Sequence, residues 1–134
     1  MMRTTNVMPR IEVTPFTDVK WGDVCFVNVP DDIAGSEQSG IRPALVVQND
    51  KGNTHSPTTI VALITSKKKK PMPTHITVFP QESGLNKIST VMMEQVRTID
   101  KTRIISKVGH LNAEWLTEKI RKSLLVSFGI GLDN

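Results

Sequence analysis

The sequence has little cysteine, few aromatic residues and no long hydrophobic run. Its single cysteine, Cys25, excludes an intrachain disulfide and favours a reducing compartment. Tyrosine is absent, and two Trp and four Phe offer few surfaces for stacking consecutive bases, which argues against long, sequence-independent binding of single strands. The aliphatic runs are only a few residues long and the N-terminus lacks the apolar region of a signal peptide. We therefore expect no membrane association and a cytoplasmic location.

The charge balance and the length indicate a single basic domain. Lys and Arg number 17 against 13 Asp and Glu, a formal net charge of +4 that favours an acidic partner such as nucleic acid or an acidic protein. A chain of 134 residues can bury its own core. Residues 1–18 are polar, contain Pro9 and Pro15 and show no sustained periodicity. We predict a loosely ordered extension over 1–18 and one domain over 19–134.

Hydrophobic patterning predicts strands first and a helix late. The predicted strands are residues 24–29, 44–47, 58–65, 74–79 and 91–99. Residues 51–59 are rich in Gly, Asn, Ser and Pro and predict a turn. The four lysines of 67–70 precede Pro71 and Pro73, which favours a hairpin tip or loop.

The only convincing helix lies near the C-terminus. Asn112 is a good N-cap, Leu111 and Leu116 can form a hydrophobic staple, and Gly129 can end the helix. The segment before it, with Ile104, Ile105 and Val108, is only a short apolar stretch. Successive strands followed by one helix predict a mainly β, α+β fold: a compact antiparallel sheet or small barrel with the helix packed on it.

Arg42 is the most informative cation in the chain. It follows Gly40 and Ile41 and precedes Pro43, which disfavours helical backbone at Arg42 and holds it extended at the mouth of the apolar run 44–47. A guanidinium in that place suits an anion. A surface ion pair is the plainer interpretation. Thr65, at the polar end of the β-branched run TTIVALIT, is either a strand-end hydroxyl with a function or simply a good strand former.

The sequence indicates neither a metal site nor a cofactor. One Cys and the dispersed His55, His75 and His110 have no zinc spacing, and no carboxylate cluster suggests magnesium. Histidine is the usual acid or base of a nuclease, but we expect His75, in an alternating strand, and His110, before the helix cap, to hold local backbone groups.

Five separated segments together resemble the MazF/PemK family of bacterial toxins. They are KWGDVCFVNVP, GSEQSGIRPALVVQND, SPTTIVALITS, PTHITV and STVMMEQVRTIDKTRI, followed by the terminal helix. The resemblance implies a small SH3-like antiparallel β-barrel, a homodimer, and sequence-selective cleavage of single-stranded RNA without metal. It also implies a cognate antitoxin that neutralises the toxin. The chain departs from the family at Cys25, at the lysines of 67–70 and in its N-terminal extension.

The resemblance also implies the site residues. It assigns catalysis to Arg42, in the GxRP motif, and to Thr65, at the end of its strand. It further implies RNA binding by Gly35, Ser36, Glu37, Gln38, Ser89, Glu94 and Gln95. A carboxylate in an RNA groove repels phosphate, so Glu94 should face the hydrogen-bond donors of a base. An ion pair of Glu94 with Arg97 or a nearby lysine is the alternative.

Metal-free RNA cleavage gives these two catalytic residues distinct roles. The nucleophile is the neighbouring 2′-hydroxyl, and the products carry a 2′,3′-cyclic phosphate and a 5′-hydroxyl. Arg42 can stabilise the phosphorane and can donate a proton, whereas its high pKa makes it a poor base, so the general base is left open. Thr65 can donate a hydrogen bond to a non-bridging oxygen.

Two other functions fit the same fold. One is a noncatalytic toxin that poisons DNA gyrase, as in the related CcdB family, for which a missing Arg42 or Thr65 would be the sign. The other is a nonenzymatic RNA-binding barrel, which the scarcity of aromatic residues disfavours.

Overall fold

The computed structural model describes residues 18–30 and 40–131. They form one six-stranded antiparallel sheet in the order β4-β5-β3-β2-β1-β6, with three helices and a 3₁₀ turn at Lys101–Arg103. The strands are β1 (Asp23–Val29), β2 (Gly40–Val46), β3 (Thr58–Thr65), β4 (His75–Val78), β5 (Ser89–Asp100) and β6 (Ile104–His110). The helices are α1 (Asp50–His55), α2 (Pro80–Ser83) and α3 (Ala113–Phe128).

Both faces of the sheet carry buried residues. Successive residues of a strand contribute to opposite faces because their side chains point to opposite sides. Ala44 and Val46 of β2 belong to one core cluster, and Leu45 between them belongs to the other. The Leu45 cluster packs against α3 through Leu116. The sheet therefore separates two apolar layers, and α3 covers one of them.

The sheet curls until the α2 segment reaches the opposite edge strand. Backbone at Ser83 and Gly84 packs directly on Val108 and Gly109 of β6, so a Cβ on Gly109 would overlap the Ser83 carbonyl. Gly84 also has a φ of 77°, which favours glycine. This close approach makes the curled sheet a half-barrel, which confirms the prediction of a mainly β fold of SH3-like barrel type with a C-terminal helix.

The predicted ends of α3 are confirmed. The Asn112 side chain accepts a hydrogen bond from the Trp115 backbone N–H at 3.0 Å. Leu111 and Leu116 are both fully buried in the same cluster, as a hydrophobic staple requires. Gly129 ends the helix with a φ of 70°.

Two local predictions were incomplete or wrong, and the structure decides between the alternatives of a third. The turn predicted over 51–59 is largely the helix α1, because Asn49 caps it by accepting a hydrogen bond from Gly52 N–H at 2.8 Å. The apolar stretch after the 3₁₀ turn is a sixth strand, β6, which pairs with β1. The lysines of 67–70, predicted in a hairpin tip or a loop, are exposed in a loop that crosses β5 to reach β4.

The predicted N-terminal extension lies almost wholly outside the described residues, and the boundary at residue 18 stays a prediction. Val19 is buried in the core cluster that contains Ala44. Within the described ranges, no helix is long and apolar enough to cross a membrane.

Candidate active site

Strand register brings Arg42 and Thr65 together. β2 and β3 pair antiparallel, and their last paired residues in this direction are Ala44 and Leu63. Arg42 and Thr65 each lie two residues further on, so both side chains point to the same face of the sheet as Ala44 and Leu63. A cation and a hydroxyl therefore meet where the two strands separate.

A pocket of about 320 Å³ opens at this point. The residues that line it are Phe26, Arg42, Pro43, Ile64, Thr65, Ser66, Lys67, Leu85, Asn86, Lys87 and Ser89. They come from β1, β2, β3, the loop after α2 and the start of β5. The fold thus gathers distant segments of sequence around the two predicted catalytic residues.

The Thr65 hydroxyl is oriented as a donor. Its oxygen accepts a hydrogen bond from the Lys67 backbone N–H at 3.1 Å. Because that bond uses an oxygen lone pair, the hydroxyl hydrogen can be donated to a ligand in the pocket. An anionic oxygen is a suitable acceptor for it.

The pocket is basic. Arg42, Lys67 and Lys87 supply three cations, and none of the described residues that line it is a carboxylate or a histidine. Ser89 also lines the pocket, and its hydroxyl donates to the Lys87 carbonyl at 2.8 Å, so it can serve a ligand only as an acceptor. This set of groups suits a phosphate with a neighbouring polar base or sugar.

One wall of the pocket is apolar, and the sequence pattern had not singled it out. Phe26, Ile64 and Leu85 line it, and Phe26 lies half-buried opposite Pro43 in the β1–β2 pair. Because the run 24–29 is apolar on both faces, periodicity could not distinguish Phe26 from its core neighbours. A ring in this place can contact one unstacked base.

Glu94 and Gln95 lie outside the pocket. The Glu94 carboxylate pairs with the His75 ring, with Nε2 and Oε2 3.0 Å apart. Burial acts to raise the pKa of Glu94, but hydrogen bonds from His75 and from its own backbone N–H bring that pKa below its ordinary value. Gln95 is half-buried beside it. The alternative of an ion pair of Glu94 with Arg97 or a lysine was wrong, because its partner is His75.

The two histidines assigned to local backbone groups bind carboxylates instead. Besides the pair of His75 with Glu94, His110 Nδ1 lies 2.7 Å from Asp23 Oδ1, where Lys107 Nζ also binds at 3.1 Å. The prediction for His75 and His110 was wrong because both partners lie far away in sequence, on neighbouring strands of the sheet. Burial, and next the Asp23 charge, raise the pKa of Cys25 to about 12, so this thiol is structural.

The remaining predicted site residues, Gly35, Ser36, Glu37 and Gln38, lie outside the described residues. Ranges 18–30 and 40–131 contain no group of three or more His, Cys, Asp or Glu side chains that could hold a metal ion.

Known proteins resemble this chain in sequence and in fold. A family model for the PemK-like, MazF-like toxin of type II toxin-antitoxin system matches residues 20–128. Endoribonuclease EndoA of Bacillus subtilis (strain 168) is 43% identical over 113 residues, which cover 84% of this chain and 96% of that relative. A MazF structure from Deinococcus radiodurans superposes with a TM-score of 0.67 at 25% identity, covering 84% of this chain and 97% of that one. A MazE-MazF structure from the same organism gives a TM-score of 0.64 at 25% identity with the same coverage.

Proposed function

Since the chain belongs to the PemK-like, MazF-like toxin family of type II toxin-antitoxin systems, we propose that it is an endoribonuclease that cleaves single-stranded RNA, including mRNA, at selected sequences. It uses the RNA's own 2′-hydroxyl as nucleophile and requires no metal or cofactor. The name of the Bacillus relative, an endoribonuclease 43% identical to this chain, supports this activity. The family match does not favour the gyrase-poison alternative.

The observation that carries the proposal is the shared position of Arg42 and Thr65. Both lie two residues beyond the last β2–β3 pair, on one face of the sheet, and both line the same basic pocket. A structural threonine or an ordinary surface arginine requires no such pairing. Their meeting at a pocket that also holds Lys67 and Lys87 favours a phosphodiester substrate.

In this mechanism the 2′-oxygen attacks phosphorus while the bond from phosphorus to the 5′-oxygen breaks. Arg42 holds two phosphate oxygens with its planar fork and stabilises the charge of the phosphorane. Thr65 donates a hydrogen bond to a non-bridging oxygen through the hydrogen that its bond from Lys67 N–H leaves available. The 5′-oxygen receives a proton, and Arg42 is suitably placed to donate it.

The described residues that line the pocket include no carboxylate or histidine, so the group that takes the 2′-hydroxyl proton is left unassigned. Phe26 supplies a surface for the base beside the cleaved phosphate. Ser89 accepts a hydrogen bond from the RNA, and Glu94 and Gln95 contact bases further along the strand. Gly35, Ser36, Glu37 and Gln38 complete the RNA contacts.

The toxin works as a cytoplasmic homodimer whose cognate antitoxin lays an acidic segment over the basic groove. The MazE-MazF structure of the Deinococcus relative supports an antitoxin partner. The apolar cleft at the end of α3, lined by Leu125, Val126 and the exposed Ile130, supports a dimer. Light scattering of wild type against Ile130→Glu tests this: the dimer should weaken, and an unaltered mass would exclude this cleft from the interface.

The decisive experiment is cleavage of a long RNA by the purified protein in excess EDTA, with both product ends mapped. We expect continued cleavage, 5′-hydroxyl ends and 2′,3′-cyclic phosphates. A parallel preparation of Arg42→Ala controls for contaminating nucleases. Complete loss of cleavage in EDTA that magnesium restores, or 5′-phosphate ends, would refute the mechanism.

A further inference from the structure

His75 and Glu94 form a polar pair at the edge of the sheet. His75 lies on the edge strand β4 and Glu94 on its neighbour β5. The imidazole side chain is only 7% exposed, whereas the carboxylate side chain is 32% exposed. A buried ring thus holds a carboxylate that solvent, or a ligand, can reach.

The pair shares a face with the candidate active site. Thr65 of β3 is opposite Thr90 of β5, which is opposite Thr77 of β4, so these three side chains lie on one face. His75 is two residues along β4 from Thr77 and points to the same face. Three strand spacings, about 14 Å along the sheet, separate β2 with Arg42 from β4 with His75. An RNA strand that crosses the sheet from the Arg42 pocket meets this pair at a base away from the cleaved bond.

The hydrogen bond from His75 fixes the orientation of the Glu94 carboxylate. An ionised carboxylate can only accept, so the His75 Nε2 must carry the hydrogen that it shares with Oε2. The carboxylate also accepts a hydrogen bond from its own backbone N–H. Because each carboxylate oxygen has two lone pairs, a base that approaches Glu94 still finds acceptor sites, and the protein fixes their direction.

We propose that His75 is a positioning residue that makes Glu94 select a base with an exocyclic amino donor, adenine, cytosine or guanine, and reject uracil. This inference rests on the proposed function. The exocyclic amino groups of adenine and cytosine each donate to one oxygen. The Watson–Crick edge of guanine presents an amino and an imino donor side by side, and both can donate to the carboxylate. Uracil presents its single N3–H between two carbonyls that repel the carboxylate.

The test is single-turnover cleavage of an RNA pool randomised around the cut, with the products sequenced. For the wild type we expect bases that carry an amino group to be preferred over uracil at one position by on the order of tenfold, the usual discrimination of one hydrogen-bonded base contact. His75→Leu, which keeps the buried volume but removes the donor, should lose most of that preference. His75→Gln should retain it, since its amide N–H can donate to Oε2.

Two further variants separate positioning from mere structure. Glu94→Gln should change preference at the same position and at no other, which tests the pair even if His75→Leu folds poorly. Thr77→Ala, on the same face and strand, should leave every preference unchanged. Unaltered preferences in folded His75→Leu or in Glu94→Gln, with normal cleavage, would overturn the inference alone. Absence of cleavage by the wild type would overturn the proposed function and the inference together.

Discussion

The two ends of the β2–β3 pair use polar side chains in opposite ways. At the α1 end, Asn53 is 3% exposed and its side-chain oxygen accepts from Thr59 Oγ1 at 2.7 Å and Gln48 Nε2 at 3.1 Å. Its amide nitrogen donates to the Gln48 carbonyl at 2.9 Å, and Lys101 donates to the Asn53 carbonyl. At the other end, Arg42 and Thr65 line an open pocket.

This difference separates stability from chemistry on one pair of strands. Polar groups that satisfy one another in a buried place hold the fold, because breaking one of their bonds leaves a buried donor or acceptor unpaired. Polar groups that line a pocket contribute to ligand binding. Mutations at the α1 end should therefore lower stability and leave activity unchanged. Mutations at the pocket end should lower activity and leave stability unchanged.

The largest effect is expected for Arg42→Ala. Loss of the positive charge that stabilises the forming phosphorane should lower the single-turnover cleavage rate by about 10³-fold. The fold should survive, because Arg42 is only half-buried. Cleavage of a fixed RNA and thermal unfolding of the same preparation measure the two outcomes. A folded variant with near-normal cleavage would move the chemistry to another site.

Asn53→Ala should give the mirror image. Thr59 and Gln48 would lose a partner, which should lower the free energy of unfolding by about 3 kcal/mol. Cleavage per folded molecule should stay at the wild-type level. Thr54→Ala, at an exposed neighbouring position of α1, is the matched control and should change stability by less than about 0.5 kcal/mol. Urea titration gives the numbers, and equal stability of the two variants would contradict the buried network.

A smaller loss is expected for Thr65→Val, which keeps the shape and removes one hydrogen bond to the phosphate. Cleavage should slow by about tenfold, the rate equivalent of roughly 1.4 kcal/mol. RNA affinity should change little if the bond forms mainly in the transition state. A rate that is unaltered at saturating RNA would remove Thr65 from the mechanism.

The smallest effect concerns the exposed lysines of the β3–β4 loop. Reversing charge at Lys68 and Lys69 should slow association with RNA and with antitoxin by a few-fold at low salt, and the difference should shrink as salt is added. The chemical step on bound RNA should be unaffected. Lys51→Glu, on α1 at the opposite end of the strands, should alter association less. Stopped-flow measurements at two salt concentrations test whether the reversal at Lys68 and Lys69 slows association more than Lys51→Glu does. An equal effect of the two would contradict the prediction.

Local signals accounted for much of the fold and for the two central site residues. Sequence reasoning could find features that belong to short segments. These are the residue before Pro43, the end of a β-branched run at Thr65, and the caps Asn112 and Gly129. The family resemblance added their roles. The pairing of β6 with β1, the apolar wall of the pocket and the pair of His75 with Glu94 depend on residues far apart in sequence. Periodicity carries no information about such partners, which is why His75 was misassigned.

The central claim is that the pocket end supplies no nucleophile of its own and lets the RNA's 2′-hydroxyl attack the phosphate. It is tested most directly with an RNA whose cleavage site has been mapped and that carries a single 2′-deoxy nucleotide on the 5′ side of the cut bond. We predict that the wild-type protein binds this RNA with nearly unchanged affinity in EDTA and does not cleave it at that bond. Cleavage of the 2′-deoxy bond at a rate comparable to that of the all-ribose RNA would contradict the account.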